Sequence, residues 1–163
     1  MRPSLVDTLI SIAVTVSKRS TCSRRNNGAV IATEKGVVLS TGYNGSLSGM
    51  DHCLHDCDCG MQLLIQNANP EESKLWQHAL NCPAHESNGC TLAVHAEANS
   101  IYFAARNGVS TENAIIYCTT EPCVKCAEAI VQSGIKKVVY SQEYRTQVGI
   151  NLLQSAGIEV VQA

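Results

Sequence analysis

The apolar positions of the chain change period several times, and each change marks an element. Leu5, Leu9, Ile12 and Val16 recur at steps of four, three and four. They predict a helix from Ser4 to Lys18 with that stripe turned to the core. Gly28 to Ala32 is a short apolar run, Glu34-Lys35-Gly36 a turn and Val37 to Ser40 a second run, so this stretch predicts a β-hairpin. Thr41-Gly42-Tyr43-Asn44-Gly45 closes it with residues suited to a tight, exposed loop. An alanine-rich helical run from Ala96 to Arg106 stops at Asn107-Gly108. Ala114 to Thr119 and Lys136 to Tyr140 read as strands, Thr146 to Ala156 as a helix backed by Gly157, and Ile158 to Val161 as a final strand. Pro122 stands where a further helix would begin, and helix formers continue to Gln132 before Gly134 ends the pattern. Helices alternating with short apolar strands indicate a three-layer α/β/α domain around a central mixed sheet of about five strands.

The stretch from Ser46 to Val94 breaks this rhythm, and only about Met61 to Asn67 and Glu72 to Leu80 look helical. Its polarity argues against a core of its own. Five cysteines and four histidines fall within 39 residues there, so metal is the expected staple. The 163 residues suit a single domain over 1–163 with this insertion at about 46–94. Nine cysteines, an odd number, do not suggest a secreted disulfide framework and fit a reducing cytoplasm with zinc. With 12 Lys plus Arg against 14 Asp plus Glu, no basic field argues for a nucleic-acid partner. Charged residues make up 16%, which leaves room for subunit contacts. Asp7, Thr8, Ser11 and Thr15 interrupt the run from Leu5 to Val16, which reads as neither signal peptide nor membrane span.

The chemistry gathers in His95-Ala96-Glu97 and Pro122-Cys123-Val124-Lys125-Cys126. H-x-E followed by P-C-x-x-C is the signature of zinc-dependent nucleobase deaminases. His95, Cys123 and Cys126 supply three ligands, and a tetrahedral metal so held keeps one position open for water. Cysteines three apart at a helix start share one face at the positive end of the helix dipole, which favours the metal-binding thiolate. Residues two apart on a regular helix point nearly opposite ways. His95 and Glu97 can therefore face one metal only at the helix start. Zinc there would lower the pKa of bound water from ~16 towards ~7, and Glu97 is placed to take the proton and pass it to the ring nitrogen and the leaving amine. A closed structural zinc site is the alternative, and the glutamate and proline weigh against it.

The sequence resembles the deoxycytidylate (dCMP) deaminases, particularly those of T-even-like phages. The similarity is dense over Ser20–Gly45 and His95–Tyr140 and resumes at Ala156-Gly157-Ile158-Glu159-Val160. The resemblance implies the cytidine deaminase-like fold and hydrolysis of dCMP to dUMP and ammonia, supplying thymidylate synthesis in the cytoplasm, the host's if the protein is viral. It implies that Asn44 approaches the nucleotide sugar and that Ser20, Arg24, Arg25, Tyr140 and Tyr144 surround the phosphate. Relatives that are hexamers respond to dCTP and dTTP at a separate site, which Gly42, Tyr43, Asn44 and Gly45 would serve here, with magnesium accompanying the triphosphate. A second, structural zinc implied by the phage branch falls on Cys22, Cys53 and His85. The fourth ligand position is Ala93 here, with Cys90 a replacement, and His52, Cys57, Cys59 and Cys82 could complete this site or build a third. Alternatives are a deaminase of 5-methyl- or 5-hydroxymethyl-dCMP, of dCTP or of another base, and a zinc-stabilised nucleotide-binding regulatory protein.

Overall fold

A computed structural model describes residues 2–22, 25–49 and 93–163. The expected helices at 61–67 and 72–80 lie outside the described residues, as do Arg24, Cys53, His85 and Cys90. The chain divides into two compact units, one within Met1–Ser20, Asn26–Asn44 and His95–Ala163, the other within Thr21–Arg25 and Gly45–Val94.

The first unit holds a five-stranded mixed sheet in the order β2-β1-β3-β4-β5. Its strands are β1 (Gly28–Ala32), β2 (Val38–Tyr43), β3 (Ile115–Thr120), β4 (Lys137–Gln142) and β5 (Glu159–Gln162). Strand β1 is antiparallel to β2 and β3, while β3, β4 and β5 run parallel. The ends of β2, β3 and β4 and the start of β1 therefore share one end of the sheet. Among the described residues four helices flank it: α1 (Leu5–Ser17), α2 (Ala96–Arg106), α3 (Val124–Gln132) and α4 (Val148–Ser155). Within the second unit Gly45 and Val94 exchange backbone hydrogen bonds, and the Ser46 N–H donates to Thr21 Oγ1.

Helix α1 starts at a capping box. Ser4 Oγ accepts from the Asp7 N–H at 3.0 Å and Asp7 Oδ2 accepts from the Ser4 N–H at 3.2 Å. Its buried line is Leu9, Ala13 and Ser17, and Leu5 is exposed. The expected stripe through Leu5 is thus rotated. The cause is close packing on β1: a Cβ at Gly28 would overlap the Ala13 carbonyl oxygen, so small residues must face the sheet there. Leu9 and Ala13 pack with Val30, Ala32, Ile115, Tyr117 and Val139 on this face. On the other, Ala29, Ile31, Ile116, Cys118 and Val138 pack against Ala96, Ala127, Ile130, Ile150 and Leu153 of α2, α3 and α4. Alternation along each strand feeds both cores, and the expected three layers follow.

Strand β2 corrects one expectation. Thr41, Gly42 and Tyr43 are not an exposed loop; they pair with Val30, Ala29 and Gly28. Turn-like composition gives way here to the approach of α2, because a Cβ at Gly42 would overlap the Ala96 carbonyl oxygen and the Ser100 nitrogen. The hairpin turn itself is where expected, with Gly36 at φ 85° and its N–H donating to the Thr33 carbonyl at 2.9 Å.

Gly28→Ala and Gly42→Ala should each destabilise the protein by about 3 kcal/mol through overpacking against backbone. Gly157, at φ 79° with open space around it, should lose only about 1 kcal/mol on substitution by alanine. Denaturant midpoints of the three variants check the order; a Gly42→Ala protein no less stable than Gly157→Ala would contradict the close approach.

Candidate active site

Both chemistry-bearing motifs open helices at the same end of the sheet. His95 is the N-cap of α2, with extended backbone at φ −70° and ψ 155°, and Glu97 is the second residue of that helix. The extended cap breaks the helical register between them, which satisfies the condition set by their spacing. Cys123 is likewise the N-cap of α3, at φ −69° and ψ 170°, and Cys126 sits in the first turn. Helix α3 thus starts two residues after Pro122, which was expected to begin it. Strand β3 ends at Thr120 and an extended link carries Glu121 and Pro122 to the cap, so the proline stiffens the link and not the first turn. Neither cap residue spends its side chain on capping. Both side chains are left to the site.

The His95 Nδ1 lies 3.4 Å from Cys123 Sγ and 3.4 Å from Cys126 Sγ. The three ligand atoms all fall within 4.8 Å of one another. Zinc bonds of about 2.3 Å to sulfur and about 2.0 Å to nitrogen, opened to tetrahedral angles, need ligand atoms at such separations. Two sulfurs and an imidazole are also a donor set soft enough for zinc. The residues fit the ion, and they leave its fourth position to water or substrate.

Glu97 is buried, with Oε2 3.5 Å from Cys126 Sγ. Burial raises its pKa above the ordinary carboxyl value, against an opposing pull from His95. A carboxyl held this way gives up and recovers a proton more evenly than a surface glutamate does. A hydrogen bond from Cys126 is the main force lowering the pKa of Cys123 to about 3, and that bond with burial raises the pKa of Cys126. Burial also pushes Cys118 well up, so this third thiol is inert.

Helix α2 is tied to β2 by Ser40 Oγ donating to the Ser100 carbonyl at 2.7 Å and Asn99 Nδ2 donating to the Tyr43 carbonyl at 2.8 Å. Just past β2, Asn44 is buried; its Oδ1 accepts from the Asn27 N–H at 2.8 Å, and its carbonyl accepts from Ser20 Oγ at 2.8 Å. Among the other residues singled out from sequence, Tyr43, Tyr140 and Tyr144 are half-buried, Gly45 and Cys22 are buried and Arg25 is exposed.

Sequence reasoning passed over Glu121. Only 2% exposed, it follows β3 directly and precedes the buried Pro122. Its Oε2 accepts from the Tyr144 N–H at 2.7 Å, and Gln147 Nε2 donates to both carboxylate oxygens at 3.2 and 3.3 Å. Burial and a hydrogen bond to Glu121 raise the pKa of the Tyr140 phenol. Glu121 thereby fixes the segment that carries Tyr144, over whose ring the Arg145 guanidinium stands at 5.4 Å. An acid directly after the strand Ile115–Thr120 was the available signal.

Comparisons with known proteins agree with this geometry. The model of the cytidine and deoxycytidylate deaminase zinc-binding region matches residues 3–142. Deoxycytidylate deaminase of Enterobacteria phage T4 is 39% identical over 171 residues, covering 94% of this chain and 86% of the phage protein. That of Saccharomyces cerevisiae is 36% identical, covering 99% of this chain and 46% of the yeast protein. The crystal structure of dCMP deaminase from cyanophage S-TIM5 in complex with dCMP and dUMP superimposes with a TM-score of 0.74 at 28% identity, covering 100% of this chain and 99% of that one. The chain belongs to the cytidine and deoxycytidylate deaminase family, whose members are zinc-dependent hydrolases acting on an amino group.

Glu121→Gln should cost about 1–2 kcal/mol of stability, since its new amide sets donor against donor at Gln147. Adding Gln147→Glu should recover most of the loss by exchanging the two roles. Thermal unfolding of the single and double variants checks this; a double variant less stable than Glu121→Gln alone would contradict the pairing.

Proposed function

We propose that the protein hydrolyses the exocyclic amine of dCMP to give dUMP and ammonia, with His95, Cys123 and Cys126 holding the catalytic zinc and Glu97 moving the protons. The observation that carries this reading is the buried carboxyl of Glu97 within 3.5 Å of a ligand sulfur, beside a three-ligand set with one position open. Zinc bound there supplies a Lewis acid that makes water a nucleophile near neutral pH. Glu97 would accept one proton from the attacking water as its oxygen bonds to C4 of the ring and donate it to N3, then take the proton of the new C4 hydroxyl and pass it to the amine as the C4–N bond breaks and ammonia leaves. Its burial keeps bulk water from competing for the proton. The dCMP preference is supported by the relatives named for that substrate and by the cyanophage enzyme with dCMP and dUMP.

The finer assignments extend the same reading. Asn44 holds the sugar, and Ser20, Arg24, Arg25, Tyr140 and Tyr144 surround the phosphate; arginine suits it because its fork gives two parallel charge-assisted bonds. The insertion at about 46–94 belongs to the single deaminase domain and carries a structural zinc on Cys22, Cys53, His85 and Cys90. The enzyme works in the cytoplasm as a homo-oligomer, with a hexamer favoured. Its control by dCTP and dTTP runs through Gly42, Tyr43, Asn44 and Gly45, with magnesium on the triphosphate. No described helix is long and apolar enough to cross a membrane.

Glu97→Gln separates the shuttle from the metal site. Its zinc content should equal that of the unaltered protein, while dCMP turnover falls by about 10³-fold or more. Metal analysis beside an ammonia-release assay reads both, and a variant that keeps its turnover would overturn the assignment of Glu97.

A further inference from the structure

A row of polar side chains crosses the sheet at the end where α2 and α3 begin. Ala29 pairs with Cys118 of β3 and with Gly42 of β2. Two residues further along each strand, the same registers bring Asn27 opposite both Thr120 and Asn44. Side chains alternate between faces, so Asn44, Asn27 and Thr120 share the face of Gly42, Ala29 and Cys118. That is the face that α2 and α3 cover. The Gly42–Ala29–Cys118 row is small enough to seat the first turn of α2, whose Ala96 carbonyl meets Gly42. The polar row lies about 7 Å beyond it, toward the helix starts that carry His95 and Cys123.

Hydrogen bonds orient this row. The Asn44 N–H donates to the Asn27 carbonyl at 3.2 Å, and the Asn27 N–H donates to Asn44 Oδ1 at 2.8 Å. Thr120 Oγ1 donates to Asn27 Oδ1 at 3.1 Å. Thr120 is 4% exposed and Asn44 5%, whereas Asn27 is half-buried. Thr120 thus occupies the oxygen end of the Asn27 amide. Its NH₂ end has no hydrogen-bond partner among the described residues. A half-buried donor left unmet costs free energy, which a ligand acceptor would recover.

We propose that Asn27 is a specificity-determining residue of the site, donating a hydrogen bond from Nδ2 to an acceptor of the bound pyrimidine nucleotide, and that Thr120 is the positioning residue that turns the amide that way. This rests on the nucleotide reading above. A cytosine nucleotide offers such acceptors as ring, sugar and phosphate oxygens, whereas a hydrocarbon surface offers none. Asn44 and Asn27 would then present two amides side by side to one ligand.

Steady-state kinetics on dCMP with the zinc-loaded full chain tests the proposal. Asn27→Val should lower kcat/KM about tenfold, the worth of one hydrogen bond to the substrate, at unchanged zinc content. Asn27→Asp keeps the size and the acceptor for Thr120 but replaces the donor with a second acceptor, and should lose at least as much. Thr120→Val should lose part of that factor and Thr120→Ser recover it, while the Asn27→Val/Thr120→Val double variant is no worse than Asn27→Val. Either Asn27 variant within twofold of the unaltered enzyme would overturn the role of Asn27, and losses that multiply in the double variant would overturn that of Thr120. An unaltered protein inert on every nucleotide would overturn the dCMP reading and this inference with it.

Discussion

Everything in the site depends on bringing one imidazole and two thiols, carried on two separate helices, within 4.8 Å of each other. Local sequence alone cannot do this for residues 28 apart. The sheet does it, because parallel β3 and β4 and antiparallel β1 place the start of α3 at the end of the sheet where β2 delivers the first turn of α2. Two glycines set the approach. Gly28 lets α1 lie on one face and Gly42 lets α2 lie on the other, each where a methyl group would strike backbone. The metal ligands then inherit their positions from backbone packing, which is stiffer than any side-chain contact could make it.

The two helix starts also explain why a histidine and a cysteine occupy cap positions that serine, threonine or aspartate usually fill. A capping side chain would fold back on its own helix. His95 and Cys123 make no such bond, so the stabilisation of a cap is given up and both side chains are left to reach the third ligand atom, an arrangement whose cost a bound metal would offset. Glu97 and Glu121, both nearly fully buried, divide the remaining work. The first sits against the metal ligands, where burial raises its pKa and suits it to proton transfer. The second is met by the Tyr144 N–H, Gln147 and Tyr140, and holds the segment beside the motif in place.

Much of this was legible in the sequence because it is written in local signals. The bounds of α1 and α2, the turn at Gly36 and the stops at Gly134 and Gly157 follow from caps, periodicity and glycine, and the triad follows from the spacing of its motifs. What escaped depends on partners distant along the chain. Thr41-Gly42-Tyr43 has a turn's composition but a strand's conformation, because Gly42 is needed for α2 and not for a bend. The stripe of α1 is rotated away from Leu5 because small residues must face Gly28. Glu121, Asn27 and Thr120 look ordinary in a one-dimensional reading, and gain meaning only from the cross-strand register that sets them together.

The most direct test is ammonia release from dCMP by the zinc-loaded chain, with the nucleotide product identified. Sustained turnover yielding one dUMP for each ammonia is the expected result. A folded protein that retains zinc on His95, Cys123 and Cys126 yet releases no ammonia from dCMP would contradict the account.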